Sequence, residues 1–134
     1  MNHEVHKGTR RKKFDELSNH VIGCALEVHR NLGPGLLEST VEQCLAHEFS
    51  LVDIPFKLQY PLPVEYKGVK LDCGYRIDLL VDDSLIIELK SVDKILPIHQ
   101  AQLLTYMKLA DISIGLLINF NVRFLKYGIK RIVL

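Results

Sequence analysis

A chain of 134 residues has room for one hydrophobic core and is too short for a second domain. Hydrophobic residues make up 48% of it and charged residues 25%, which excludes a disordered polymer. With 17 basic against 16 acidic side chains, bulk charge gives no argument for nucleic acid, membrane or acidic ligands, so any charged partner must be recognised locally.

Residues 1–13 depart from this balance. Lys7, Arg10, Arg11, Lys12 and Lys13 against Glu4 give +4 and leave −3 to the rest of a chain of net charge +1. They read as a basic arm, either a disordered solvated tail or a phosphate-backbone contact, ahead of one folded domain over 14–134. Within 14–32, Leu17, Val21, Cys24, Ala25, Val28 and Leu32 recur at three- and four-residue steps, the stripe of an amphipathic helix. Gly33-Pro34-Gly35 ends it and turns into a second helix over 36–50.

Residues 54–66, 69–81 and 85–92 are rich in β-branched and aromatic side chains and are separated by Lys67-Gly68 and Asp82-Asp83-Ser84. This predicts a three-stranded antiparallel meander. Pro61 and Pro63 cannot donate ladder bonds, so the first strand lies at a sheet edge or breaks there. Pro97 opens a third helix over 97–110, with Leu103, Leu104 and Met107 for its buried side. Residues 112–120 are almost continuously apolar, as in a strand covered on both faces, and a last strand follows over 124–133. A strand, helix, strand order from 85 to 120 predicts a crossover between parallel neighbours. The sum is an α/β domain with a mixed sheet, antiparallel meander plus parallel crossover, flanked by helices.

Cys24, Cys44 and Cys73 are few, odd in number and set in apolar patterns, as buried thiols in a reducing compartment are. The longest apolar run is about half of the ~20 residues that span a bilayer, and the expectation is a soluble cytoplasmic protein with no membrane association. Cys24, Cys44 and His47 are read as core and helix residues rather than as a zinc site.

Chemistry concentrates in Leu85-Ile86-Ile87-Glu88-Leu89-Lys90. Period-two geometry puts Glu88 and Lys90 on one face, and a carboxylate in so apolar a strand calls for a partner. If the loop is the three residues Asp82-Asp83-Ser84, Asp78 stands across from Glu88 with Cβ atoms about 5 Å apart. Two carboxylates this close repel unless a cation lies between them, and oxygen ligands suit Mg²⁺ or Mn²⁺. Lys90 is then placed to stabilise a developing anion or orient a water. The rival reading, an exposed ion pair worth under about 1 kcal/mol, sits badly with apolar neighbours.

Asp78, followed after a hairpin by Glu88-Leu89-Lys90, resembles the signature of the PD-(D/E)XK nuclease-like superfamily. Gly35-Leu36-Leu37-Glu38 resembles the motif of its GxxExxY branch, and the likeness extends over nearly everything from Phe14 onward. Ile77 stands where the superfamily name has proline and Val41 where the branch name has tyrosine; neither departure removes a metal ligand. The resemblance implies a restriction-endonuclease-like core, with Glu38 as a third acidic residue at the metal. It also makes Gln102 and Tyr106 counterparts of the Gln-xxx-Tyr helix motif of RecB-type nucleases, with His99 one turn earlier on the same helix. The expected function is metal-dependent hydrolysis of nucleic-acid phosphodiesters by Asp78, Glu88, Lys90, Glu38, Gln102 and Tyr106. The alternative is a catalytically silent nucleic-acid- or protein-binding module on the same fold. A chain this short has no second domain to embrace a nucleic acid, so a homodimer is expected.

Overall fold

The computed structural model describes the backbone of residues 3–134 and the side chains from residue 16 onward. The side chains of the basic arm expected over 1–13 lie outside the described residues. Helix α1 spans His3–Leu32, and the predicted stripe buries Val21, Cys24, Ala25 and Val28, while Leu32 at its end is exposed. Gly33, at φ 71°, takes the left-handed position past the helix end and donates its N–H to the His29 carbonyl at 2.7 Å. Helix α2, Glu38–Leu51, follows and buries Val41, Leu45, Ala46 and Phe49.

The strands are β1 (Phe56–Pro61), β2 (Val64–Tyr66), β3 (Val69–Leu71), β4 (Arg76–Val81), β5 (Leu85–Lys90), β6 (Ile114–Asn119) and β7 (Ile129–Val133). Five of them form one sheet in the order β1-β4-β5-β6-β7. Only the β5–β6 pair is parallel, joined through helix α3, Pro97–Ala110. The predicted meander stands as β1-β4-β5, antiparallel throughout, but two of its three runs are interrupted. The run over 54–66 breaks after Pro61, at residues 62–63, the run over 69–81 breaks at residues 72–75, and the pieces between them pair as a separate β2–β3 hairpin. What remains, β1 and β4, pair directly. The predicted last strand is also shorter, because a 3₁₀ turn, Leu125–Gly128, precedes β7.

The sheet is covered on both faces. Leu85, Ile87 and Leu89 of β5 and Ile114, Leu116 and Ile118 of β6, with Leu79 and Val81, pack under α1 and α2; Leu80, Ile86 and Leu117 pack with Leu103, Tyr106 and Met107 of α3. Gly115 permits the close approach of α3 to β6, since a Cβ there would lie 2.8 Å from the Met107 sulfur. All six residues of β6 are buried, as its unbroken apolar run requires. Among the described residues no helix is long and apolar enough to cross a membrane.

Candidate active site

The site forms where the β4–β5 ladder stops. The loop is the three residues 82–84, and the paired register runs Val81↔Leu85, Leu80↔Ile86, Leu79↔Ile87. One further step sets Asp78 against Glu88, and there side chains replace the ladder. The Asp78 N–H donates to Glu88 Oε1 at 3.2 Å, and the Leu89 N–H donates to Asp78 Oδ2 at 2.8 Å. Each carboxylate thus captures a backbone donor of the opposite strand.

Strand β4 also changes face at this point. Ile77 packs in the α3-side core although alternation would put it with Leu79 on the other. Across from Asp78, Gln59 of β1 adopts φ 48°, and the β1–β4 register skips from Leu58↔Leu79 to Tyr60↔Ile77. A left-handed glutamine inside a strand costs of order 1 kcal/mol or more. Its side chain spans two acids, since Nε2 donates to Glu42 Oε1 at 2.7 Å and to Asp78 Oδ1 at 3.3 Å.

Helix α2 supplies the remaining acids. Glu38, its first residue, and Glu42 one turn later line a cavity of about 310 Å³ together with Ser39, Gln59, Asp78 and Leu89. Glu38 is exposed and accepts the Ser91 N–H at 3.2 Å, while Ser91 Oγ donates to the Leu36 carbonyl at 2.6 Å. These two bonds tie the start of α2 to the end of β5. Lys90 closes β5 half-buried, and its charge pulls the acidity of Glu88 in the ionising direction.

Burial, and then the Asp78 charge, push Glu88 up to about 8 from the ordinary 4.5, against the weaker pulls of the Asp78 N–H and Lys90. Without a cation Glu88 is therefore mostly protonated at neutral pH. From α3, Tyr106 turns a buried ring to the pair; burial first, then the charges of Glu88, Tyr75 and Asp78, raise its hydroxyl, and a hydrogen bond with the exposed Gln102 opposes them. Tyr75 packs on it with ring centroids 5.7 Å apart. His99 is committed elsewhere, because its Nδ1 accepts the Leu96 N–H at 2.9 Å and caps α3.

Six residues named from sequence fall at this end of the sheet in two groups. Asp78, Glu88, Lys90, Tyr106 and Gln102 are linked by bonds or by direct electrostatic effect; Glu38 shares the cavity with Asp78. Sequence reading missed Glu42 and Gln59. The four-residue step from Glu38 signals Glu42, whereas nothing in Phe56-Lys57-Leu58-Gln59-Tyr60 sets Gln59 apart.

For a divalent cation the donor chemistry fits. The acids are oxygen donors, the Asp78–Glu88 pair holds a suppressed negative charge that a cation would release, and the Gln59 amide stands between two carboxylates. The expected set of Asp78, Glu88 and Glu38 is not drawn together, since among the described residues no group of three or more His, Cys, Asp or Glu is arranged to hold an ion. Soft ligands do not compete. All three cysteines are free, and burial followed by the Glu48 charge raises the Cys24 thiol away from thiolate.

A family model described as the PD-(D/E)XK nuclease superfamily matches residues 15–132, a span that contains every site residue named above. No curated protein and no solved structure gives a significant match. Nucleases of this superfamily generally use divalent metals, in keeping with an all-oxygen donor set at the hairpin end. The matched span is most of the chain, and the mixed sheet flanked by helices is the arrangement such a domain has: the chain belongs to the PD-(D/E)XK nuclease superfamily.

Proposed function

We propose that this chain is a metal-dependent nuclease of the GxxExxY branch, hydrolysing phosphodiester bonds of a nucleic acid at Asp78 and Glu88. The observation that carries the reading is the carboxylate pair itself. Two acids hold each other's strand by backbone bonds, and one of them, 7% exposed, has its ionisation suppressed to about 8. Such repulsion between like charges is costly in a purely structural pair and useful where a cation is to be bound.

Asp78 and Glu88 are the residues that would hold Mg²⁺ or Mn²⁺, with Glu38 lining the same cavity as Asp78. When bound, the ion offsets phosphate charge and acidifies a water. Lys90 presents an ammonium beside the pair, where negative charge develops at the phosphate. Tyr106, whose hydroxyl burial raises further above its ordinary value, offers a neutral hydroxyl beside Gln102. Glu42 and Gln59 position Asp78.

The test is a panel of labelled single- and double-stranded DNA and RNA, incubated with Mg²⁺, Mn²⁺ or EDTA, beside Asp78→Asn. The reading expects at least one substrate to be cleaved only with metal and not by the variant. Cleavage that survives Asp78→Asn, or none anywhere in the panel, refutes it.

A further inference from the structure

Residues 120–128 join β6 to β7 at the carboxyl end of the parallel pair, the end at which open α/β sheets meet their ligands. The segment starts against the site strand. The Phe120 N–H donates to the Lys90 carbonyl at 2.9 Å, and the Asn119 side chain exchanges bonds with the Val92 N–H at 3.1 Å and the Val92 carbonyl at 2.8 Å. It is then held at three more points. His29 Nε2 meets the Val122 carbonyl at 2.7 Å, and Leu125 is buried in the core. Gly128 lies so close to β6 that a Cβ would stand 2.2 Å from the Asn119 carbonyl oxygen.

What this anchored loop leaves outside is specific. Phe124 is 54% and Tyr127 71% exposed, with ring centroids 6.4 Å apart. The Arg123 guanidinium stands 5.1 Å from the Phe124 ring centre and the Lys126 ammonium 5.1 Å from that of Tyr127. Between the loop and α1 runs a groove of about 590 Å³ with Arg30, Arg123, Lys126 and His29 among its walls and no carboxylate among its lining residues. Arg30 is shared with Glu27 alongside. Cations concentrated here, on a chain of net charge +1, make a local field complementary to phosphate.

We infer that this loop and groove bind a single-stranded segment of nucleic acid, phosphates on Arg30, Arg123 and Lys126 and bases on the Phe124 and Tyr127 rings. Rigid, exposed rings flanked by cations are what unpaired bases stack on, whereas a duplex keeps its base faces to itself. That the segment flanks the cleaved bond rests on the nuclease reading. Arg123 is four residues from Asn119, at most about 14 Å of chain, and Asn119 pairs with Lys90 about 5 Å away. An unstacked single strand, which is more extended than the ~3.4 Å per nucleotide of a duplex strand, covers that reach in fewer than about six nucleotides.

The experiment is fluorescence anisotropy of a labelled 20-nucleotide single strand and its duplex, in EDTA, with the full chain. Phe124→Ala and Tyr127→Ala remove exposed side chains and should each weaken single-strand binding roughly five-fold or more while leaving the duplex nearly unaffected. Arg123→Glu with Lys126→Glu should lower the slope of log affinity against log salt by about 1 to 2. Circular dichroism confirms that each variant is folded. The inference is overturned by unchanged single-strand affinity in the aromatic variants, by equal loss for duplex and single strand, or by preferential binding to vesicles of anionic lipid. Because binding is read without metal, it stands or falls apart from cleavage. Ring-dependent binding without cleavage would sink only the nuclease reading, and metal-dependent cleavage whose KM ignores both rings would sink only this surface.

Discussion

Replacing Glu88 by glutamine removes one proton equilibrium while keeping the shape of the side chain. In the folded chain Glu88 sits at about 8 because burial and then Asp78 disfavour its charge; exposed in the unfolded chain it returns to the ordinary 4.5. The folded state therefore keeps a proton that the unfolded state releases throughout the window between those values. Stability contributed by this group is full below 4.5, falls as pH rises, and levels off above about 8. At about 1.4 kcal/mol per pH unit the loss is about 2 kcal/mol by pH 6 and approaches about 5 kcal/mol above pH 8, before relaxation and entering water reduce it. Glu88→Gln lacks the titration, so in EDTA it should match the parent near pH 4.5 and exceed it by several kcal/mol at pH 8.5. Urea unfolding followed by circular dichroism at four pH values measures the difference. Parallel stability curves for parent and variant would refute the electrostatic account of the hairpin end.

Lys90→Ala should lower turnover by about 10² to 10³ with Mn²⁺ affinity held within a few-fold, since an ammonium acts on developing charge and is no metal ligand; oligonucleotide cleavage beside calorimetric titration separates the two. Gln59→Ala should cost about 1 to 3 kcal/mol in urea unfolding, because Glu42 and Asp78 lose their shared donor. Gln59→Gly should cost about 1 kcal/mol less than alanine, because it relieves the φ of 48°. A homodimer is expected, for which the outer strand β7 with its exposed Val133 offers an edge that no strand among the described residues pairs; light scattering at micromolar concentration should give twice the chain mass, and a monomer mass would refute it.

The parts of the fold legible in sequence were those in which local chemistry and tertiary pairing agree. Pro97 starts α3 and Gly33 ends α1 because ring and missing Cβ dictate backbone geometry without help from afar. The opposition of Asp78 and Glu88 followed from counting a three-residue loop, whose Asp82 and Asp83 both take positive φ. The antiparallel pairing across Lys67-Gly68 was legible, but not that this β2–β3 hairpin stands apart from the main sheet, since β-propensity names strands and not sheets. The break at residues 72–75 needed the Asp72 carboxylate to accept the Gly74 N–H at 3.0 Å, a turn hidden in an apparently continuous strand. His99 shows a different limit of spacing arguments. Helical spacing places it one turn before Gln102 and Tyr106, but the free N–H at the start of α3 claims its ring.

Why the tension sits on this hairpin follows from what surrounds it. Extending the β4–β5 ladder through apolar residues at 78 and 88 would satisfy the same backbone donors and remove a carboxylate repulsion, so the observed arrangement is the less stable one locally. It persists because its neighbourhood is over-determined. Five of the six residues of β5 are buried, between a core under α1 and α2 and a second under α3, and β6 locks its other side in parallel register. A strand held from both faces and both edges cannot rotate to relieve one bad pair. The strain then falls where the sheet is weakest, on the edge strand β1, whose Gln59 gives up its ladder position to place an amide between two acids. The most rigid strand thus carries the charges, and the most yielding one accommodates them.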